Sequence, residues 1–315
     1  MATKKKGEEN ELGFGTKTSI QKTRLIKKDG SFNVERIEIS KWGSTSIYHA
    51  LITMSWRKFN FTVFIYFMAI NLIFACCYYF AGVKGLRGTE AVTSGEQFLE
   101  AFFFSTQTFS TVGFGRISPG NDLTSSIAAI ESLLGLLGFA LATGLLYGRF
   151  SRPKASILFS KNAIIAPFKE ATAFQFRLAN KMRNSQITDI NCRVTVAKLE
   201  VENGVAVRRF RPLELELKSI IFFPMTWTIN HPIDENSPLY GMTEKDYKEA
   251  DVEFLIMING FDDTFSQTVN TRYSYTHEEL IYGAKWISVF GQSGKGQTSQ
   301  DLRKINLYEQ APLPN

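Results

Sequence analysis

A chain of 315 residues, 44% hydrophobic and 21% charged, has room for two or three domains and is too apolar to stay disordered as a whole. Its 36 lysines and arginines exceed 30 acidic residues for a net charge of +6, yet they are spread along the chain and gather on no one helix or strand, which argues against a nucleic-acid-binding protein. Cys76 and Cys77 adjoin in an apolar run far from Cys192, and His49, His231 and His277 lack metal-ligand spacing or a nucleophile elbow, so neither a disulfide framework, a metal site nor an enzyme site is indicated.

Residues 1–23 begin MATKKKGEENELGFGTK, with basic residues but no apolar stretch behind them, which predicts a disordered polar tail and not a cleavable signal. A polar segment, 24–43, follows. In STSIYHALITMSW (44–56), Ile47, Tyr48, Leu51 and Ile52 share one side of a helix while Ser46, His49 and Thr53 lie elsewhere. Its position against an apolar run, with Trp56 at the junction, predicts an interfacial amphipathic helix over the plainer surface helix of a soluble domain.

Phe59 to Ala81 is a run of 23 uncharged residues, and Leu123 to Gly148 is one of 26 with Glu131 as its single charge. Each is long enough to cross a hydrocarbon core of about 30 Å as a helix. A buried core helix has the same composition, but two such runs in an otherwise polar chain favour membrane spans. The mean hydropathy of -0.09 does not oppose this, because more than half of the chain follows the second run and dilutes it. Arg57 and Lys58 before the first span, and Arg149, Arg152 and Lys154 after the second, predict that both termini are cytoplasmic. Between the spans, EQFLEAFFFSTQTF (96–109) is apolar and aromatic but too short to cross, and reads as a re-entrant helix. Residues 57–152 thus form a predicted transmembrane domain.

After Pro153 the pattern changes to short β-rich runs such as FQFRLA (174–179), DINCRVTVAKLEV (189–201) and EFLIMI (253–258), with turn signals at Asn203-Gly204 and Asn259-Gly260. Residues 153–309 are predicted to form a mostly β cytoplasmic domain, a sandwich, with a short helix between Thr243 and Glu249 and a tail at 310–315. The GQSGKGQ run (291–297) lacks a strand–helix nucleotide context and reads as a loop.

The re-entrant helix ends where Thr111, Val112, Gly113, Phe114 and Gly115 begin. Non-helical backbone at membrane depth must be buried in protein or line a water-filled path. Gly113 and Gly115 adopt positive φ at little cost, so alternating geometry can turn successive carbonyls to one side. Several copies around an axis would stack rings of carbonyl oxygens that replace an ion's hydration shell, as the TVGYG loops of potassium channels do. A lone TVGFG says little; between a re-entrant helix and a second span it is specific.

Four separated stretches, RLIKKDGSFNV (24–34), AFFFSTQTFSTVGFG (101–115), FQFRLANKMRNSQITDINCRV (174–194) and INHPIDENSPLYGMT (229–243), resemble the inward-rectifier potassium channels, in style closest to the prokaryotic members. The resemblance implies a homotetramer in a bacterial inner membrane, an immunoglobulin-like cytoplasmic domain and a pore that continues through it. It implies potassium as the permeant ion at the filter carbonyls, no other cofactor, and anionic membrane phospholipid as regulator. Arg57, Lys58, Arg149, Arg152 and Lys154 are the candidate lipid ligands, although solvated positive-inside flanks would look the same. Tyr147 is the first candidate for the inner gate and Thr143 the second, with an aromatic-belt tyrosine as the alternative for Tyr147. Asp189 and Asp263 match positions that line the cytoplasmic pore.

The chain departs from the family pattern at several places. Phe114 replaces tyrosine. Gln107 stands where many members have a pore-helix glutamate, which leaves Arg116 without that partner. The turret lacks a cysteine pair. Phe139 occupies the place of the pore-facing acid of strong rectifiers, so weak rectification is expected. Glu131 lies nearer the filter's outer side and is expected to brace the pore helix through a hydrogen bond. Gly135, Gly138, Ala142, Gly144 and Gly148 thin one side of the second span; helix packing and a gating bend at Gly144 both need small residues, and the pattern leaves both open. Two rival readings explain less. A two-span channel gated by a soluble ligand would normally bring a GxGxxG after a strand, and a membrane-anchored β-sandwich scaffold leaves TVGFG without a purpose.

Overall fold

The computed structural model describes residues 24–34, 46–152, 156–181, 186–202, 204–292 and 298–314. The predicted tail 1–23, the start of the amphipathic segment, Lys154 and most of the GQSGKGQ run lie outside the described residues. The chain divides into two compact units, Ile37–Arg152 and the pair of segments Met1–Arg36 and Pro153–Asn315.

In the first unit, α1 (Ile47–Thr53) is opened by the Ser46 hydroxyl, which accepts from the His49 amide. Helix α2 (Trp56–Gly82) has 27 residues and a length of about 40 Å at the usual rise. It includes Arg57 and Lys58 in its first turn, so these cations extend the predicted span as helix. Gly82 stops it at φ 90°. Helix α3 (Ser94–Phe109) starts at a capping box, in which Thr93 and Glu96 satisfy each other's backbone amides. Helix α4 (Asp122–Phe150) has 29 residues and an equivalent box from Asn121 and Thr124. In the most apolar windows of α2 and α4 only 17% and 11% of residues are buried within the chain, which separates them from the core helices of a soluble protein. A two-residue ladder between Leu86–Arg87 and Ser118–Pro119 ties the two sides of the α2–α4 connection together.

The second unit is a two-sheet β structure. Ten strands build its two larger sheets: β1 (Ile157–Phe159), β2 (Ala163–Phe168), β3 (Ala171–Asn180), β4 (Ile187–Glu202), β5 (Val205–Leu213), β6 (Ser219–Phe222), β7 (Trp227–Ile233), β8 (Glu253–Asp262), β9 (Gln267–Thr276) and β10 (Leu280–Tyr282). One sheet runs β9-β8-β4-β5 with β6 beside β4; the other runs β10-β2-β3-β1 with β7 beside β3. Phe174, Phe176 and Leu178 of β3 meet Phe254, Ile256 and Ile258 of β8 and Val194 and Val196 of β4 in one core. The period-two spacing of these residues sends every second side chain inward. Phe174 stacks on Phe254 with ring centroids 3.9 Å apart.

Residues 24–34 belong to this unit. Leu25 and Ile26 are buried beside Ala197 and Leu255, and their amides donate to the Glu253 carboxylate at 2.8 and 3.3 Å. Burial pushes the Glu253 carboxyl up, and these amides and Arg208 work against the rise. Arg24 bridges to Glu279 at 3.0 Å and donates to Ser274. The chain end is held too, since Tyr308–Gln310 pairs with Ala284–Trp286, and the Ala311 amide donates to Gly283 at 2.7 Å. The last residue of this strand, Gln310, is the first of the predicted tail 310–315.

Candidate pore and its supporting network

Helix α3 delivers the five candidate filter residues. The Thr111 amide donates to the Thr108 carbonyl at 3.1 Å, and the Val112 and Gly113 amides both donate to the Gln107 carbonyl, at 3.0 and 3.3 Å. These amides tie the start of the loop to the end of the helix. Thr111, Gly113 and Gly115 have φ of 62°, 53° and 87°. Positive φ thus falls at every second residue of the loop. Thr111 is β-branched, so its left-handed backbone is costly and persists only because the surrounding bonds impose it. Thr111 to Gly115 are exposed in the single chain, and the Phe114 ring is 79% exposed, without cover from its own chain. Gln107 thus supports the loop through its main chain.

Arg116 has a partner after all. Its guanidinium pairs with Glu100 at 3.1 Å, and Glu100 also accepts from the Glu90 and Ala91 amides. Glu100 lies two helical turns before Gln107, on the same side of α3, within reach of an arginine side chain. Position 107 offers Arg116 no carboxylate, as expected, and Arg116 pairs with Glu100 elsewhere on the helix.

Glu131 is completely buried. Ser105 of α3 hydrogen-bonds one carboxyl oxygen, and the Tyr78 hydroxyl of α2 donates to the other at 2.6 Å. Ser105 also contacts the Asn71 side-chain oxygen at 3.1 Å, and the Asn71 amide donates to the Phe67 carbonyl at 2.7 Å. The pore helix is thereby pinned to both spans by polar bonds. Sequence reading passed over Asn71, Tyr78 and Ser105, although a polar side chain inside an apolar run is itself a signal of such pairing.

The small residues of α4 separate into two kinds. A β-carbon at Gly135 would stand 2.1 Å from the Phe109 carbonyl oxygen, and Gly138 and Gly148 face the Phe109 ring and the Tyr48 hydroxyl. These three are packing residues. Gly144 has nothing within 4 Å, which leaves it free to serve as a bend. Phe139, Thr143 and Tyr147, spaced by four, form an exposed stripe on the same helix, with Phe139 and Tyr147 each 74% exposed. An apolar cavity of about 400 Å³ lies between α2, the end of α3 and α4, with Phe67, Phe109, Thr111 and Phe139 among its walls.

The basic residues do not form one free cluster. Arg149 donates to the Leu51 and Met54 carbonyls at 2.6 and 2.8 Å and lies over the Trp56 and Phe59 rings at 4.5 and 4.4 Å. It fastens the end of α1 to α4. Arg57, Lys58 and Arg152 are exposed. In the β unit, exposed Asp189 sits at an irregularity of the β4–β8 pairing with φ 49°, and Asp263 accepts from Thr188 at 3.3 Å. Both carboxylates thus stand at one end of the sheet. Among the described residues, no group of three metal-ligating side chains occurs.

Two helices long and apolar enough to cross a membrane, with a shorter helix and a glycine-containing loop between them and a β domain after them, fit a channel protein. Residues 70–152 match the family model described as ion channel, and residues 157–315 match the inward rectifier potassium channel C-terminal domain. The chain is 34% identical over 298 residues to the inward rectifier potassium channel Kirbac3.1 of Paramagnetospirillum magnetotacticum, covering 94% of this chain and 99% of that one. It is 25% identical over 323 residues to the human ATP-sensitive inward rectifier potassium channel 8, covering 94% of this chain and 76% of that one. The chain belongs to the inward rectifier potassium channel family.

Proposed function

We infer that four copies of this chain form a potassium-selective pore in the bacterial inner membrane with both termini cytoplasmic, and that ions pass between rings of Thr111 to Gly115 carbonyls. The observation that carries the reading is the alternation of positive φ at Thr111, Gly113 and Gly115, with the loop's amides tied back to Gln107. The bacterial relative and the flanking cations support the orientation. The exposed stripe Phe139, Thr143 and Tyr147 lines the inner pore in this reading, Tyr147 narrows it, and Gly144 supplies the bend. Asp189 and Asp263 concentrate cations in the cytoplasmic vestibule. The direct test is ion flux in proteoliposomes, potassium against sodium; equal flux of the two ions would overturn the reading.

Anionic phospholipid binds Arg57, Lys58 and Arg152 in this scheme. Each cation near an anionic surface contributes about 1 kcal/mol, so Arg57→Gln with Arg152→Gln should shift the lipid dose-response of flux about tenfold or more. An unmoved dose-response would reduce these residues to topology signals.

Rectification is weak. Steep polyamine block needs an acid facing the inner cavity, where Phe139 provides none, and Glu131 is buried against Ser105 and Tyr78. Attraction by the vestibule carboxylates is screened by salt. Phe139→Asp should create steep, voltage-dependent polyamine block in planar bilayers; steep block already present in the unaltered protein would show that the pore face of α4 is misassigned.

A further inference from the structure

The polar chain behind the pore helix contains more oxygen contacts than an ionised glutamate can satisfy. In order, the Asn71 side-chain oxygen meets the Ser105 hydroxyl, Ser105 meets one Glu131 oxygen, and the other Glu131 oxygen meets the Tyr78 hydroxyl. The orientation of Asn71 is set by its amide nitrogen, which donates to the Phe67 carbonyl at 2.7 Å; a flipped amide would press two acceptors together. Three oxygen–oxygen hydrogen bonds need three protons. Ser105 and Tyr78 bring one each, and the Asn71 protons are on nitrogen.

We propose that Glu131 supplies the third proton: it is a neutral carboxylic acid that donates to Ser105, and in this form it positions the pore helix and, through it, the filter. The proton order is then unique. Tyr78 donates to one Glu131 oxygen, the Glu131 hydroxyl donates to Ser105, Ser105 donates to Asn71, and Asn71 donates to Phe67. Ionisation would leave one of the buried contacts as two facing acceptors without a proton.

The surroundings agree with this assignment. Tyr78 is the titratable side chain that α2 presents to Glu131, with Cys77 next to it in the chain. Helix α3 presents Ser105, while its own acids Glu96 and Glu100 are engaged at Thr93 and Arg116. No salt bridge to Glu131 occurs among the described residues. A buried charge without a countercharge is expensive, whereas a protonated carboxyl is a good donor. The role is one of position, because Glu131 touches Ser105 and not the loop itself. It rests on the pore reading above.

Glu131→Gln keeps the pattern, since the amide nitrogen donates to Ser105 and the amide oxygen accepts from Tyr78. Glu131→Leu keeps the volume and loses both bonds. In proteoliposomes, Glu131→Gln should retain potassium flux and preference over sodium within about twofold, and Glu131→Leu should lose at least about tenfold in flux or preference. Difference infrared spectroscopy of wild type against Glu131→Gln should show a protonated-carboxyl stretch at neutral pH that the variant lacks. This measurement does not depend on conduction, so it separates the protonation claim from the pore reading, which wild-type flux tests by itself. A Glu131→Gln variant as defective as Glu131→Leu, or a missing band, overturns the neutral acid; a Glu131→Leu variant with normal selectivity overturns the positioning role.

Discussion

Gly113→Ala abolishes potassium flux while leaving assembly of the proposed tetramer intact. The residue has φ 53°, and nothing lies within 4 Å of the site a β-carbon would take in its own chain, so the effect is one of backbone conformation and not of crowding. A left-handed backbone costs an ordinary residue about 1–2 kcal/mol. Four copies of the substitution set at least about 4 kcal/mol against the conducting loop, and since about 1.4 kcal/mol is tenfold in population, conducting channels fall by roughly a thousandfold. Thr111 already bears this cost, held by its bond to Thr108, and a second strained residue two positions later has only the longer Gln107 contact to hold it. The measurement is flux per tetramer, with tetramers counted by cross-linking or native electrophoresis. Flux at the wild-type level would remove the loop from the ion path.

Gly135→Ala disrupts the membrane unit itself. Its β-carbon would lie 2.1 Å from the Phe109 carbonyl oxygen and 3.0 Å from the carbonyl carbon, both backbone atoms that no side-chain rotation can move aside. Alanine in place of glycine favours an isolated helix by about 1 kcal/mol, whereas overpacking a close contact costs about 1–3 kcal/mol or more. The steric term wins, and because Phe109 is the last residue of α3, the displacement is passed directly to Thr111. Loss of thermal stability together with selectivity is expected. Gly144→Ala is the matched control: with nothing within 4 Å, it should gain helix stability without a packing cost. Equal stability of the two variants would contradict the close crossing of α3 and α4.

The contrast between these glycines marks what a sequence can and cannot convey. Both spans, the re-entrant helix, TVGFG and the β character after Pro153 were legible because each rests on a local pattern: uncharged length, aromatic composition, glycine alternation, period two. The family followed from motifs distributed along the chain. Element edges were less legible, since Arg57 and Lys58 read as flanks yet form the first turn of α2.

What required the tertiary structure was every pairing between distant residues. Composition alone could not pair Arg149 with the α1 carbonyls, because only the approach of two helix ends brings them together. Arg116 found Glu100 because helical rise carries a residue two turns away into reach. Glu131 was recognised as a brace from its cost in a membrane, but Ser105, Tyr78 and Asn71 became its partners only through the crossing of three helices. The sequence by itself determined which segments are long and apolar enough to cross a membrane and which loop carries the glycine alternation, since length, composition and backbone freedom are local properties. Only the tertiary structure decided which glycines are packed, which cations are occupied and where the buried carboxyl's bonds go, because these depend on distances between elements that no local pattern encodes.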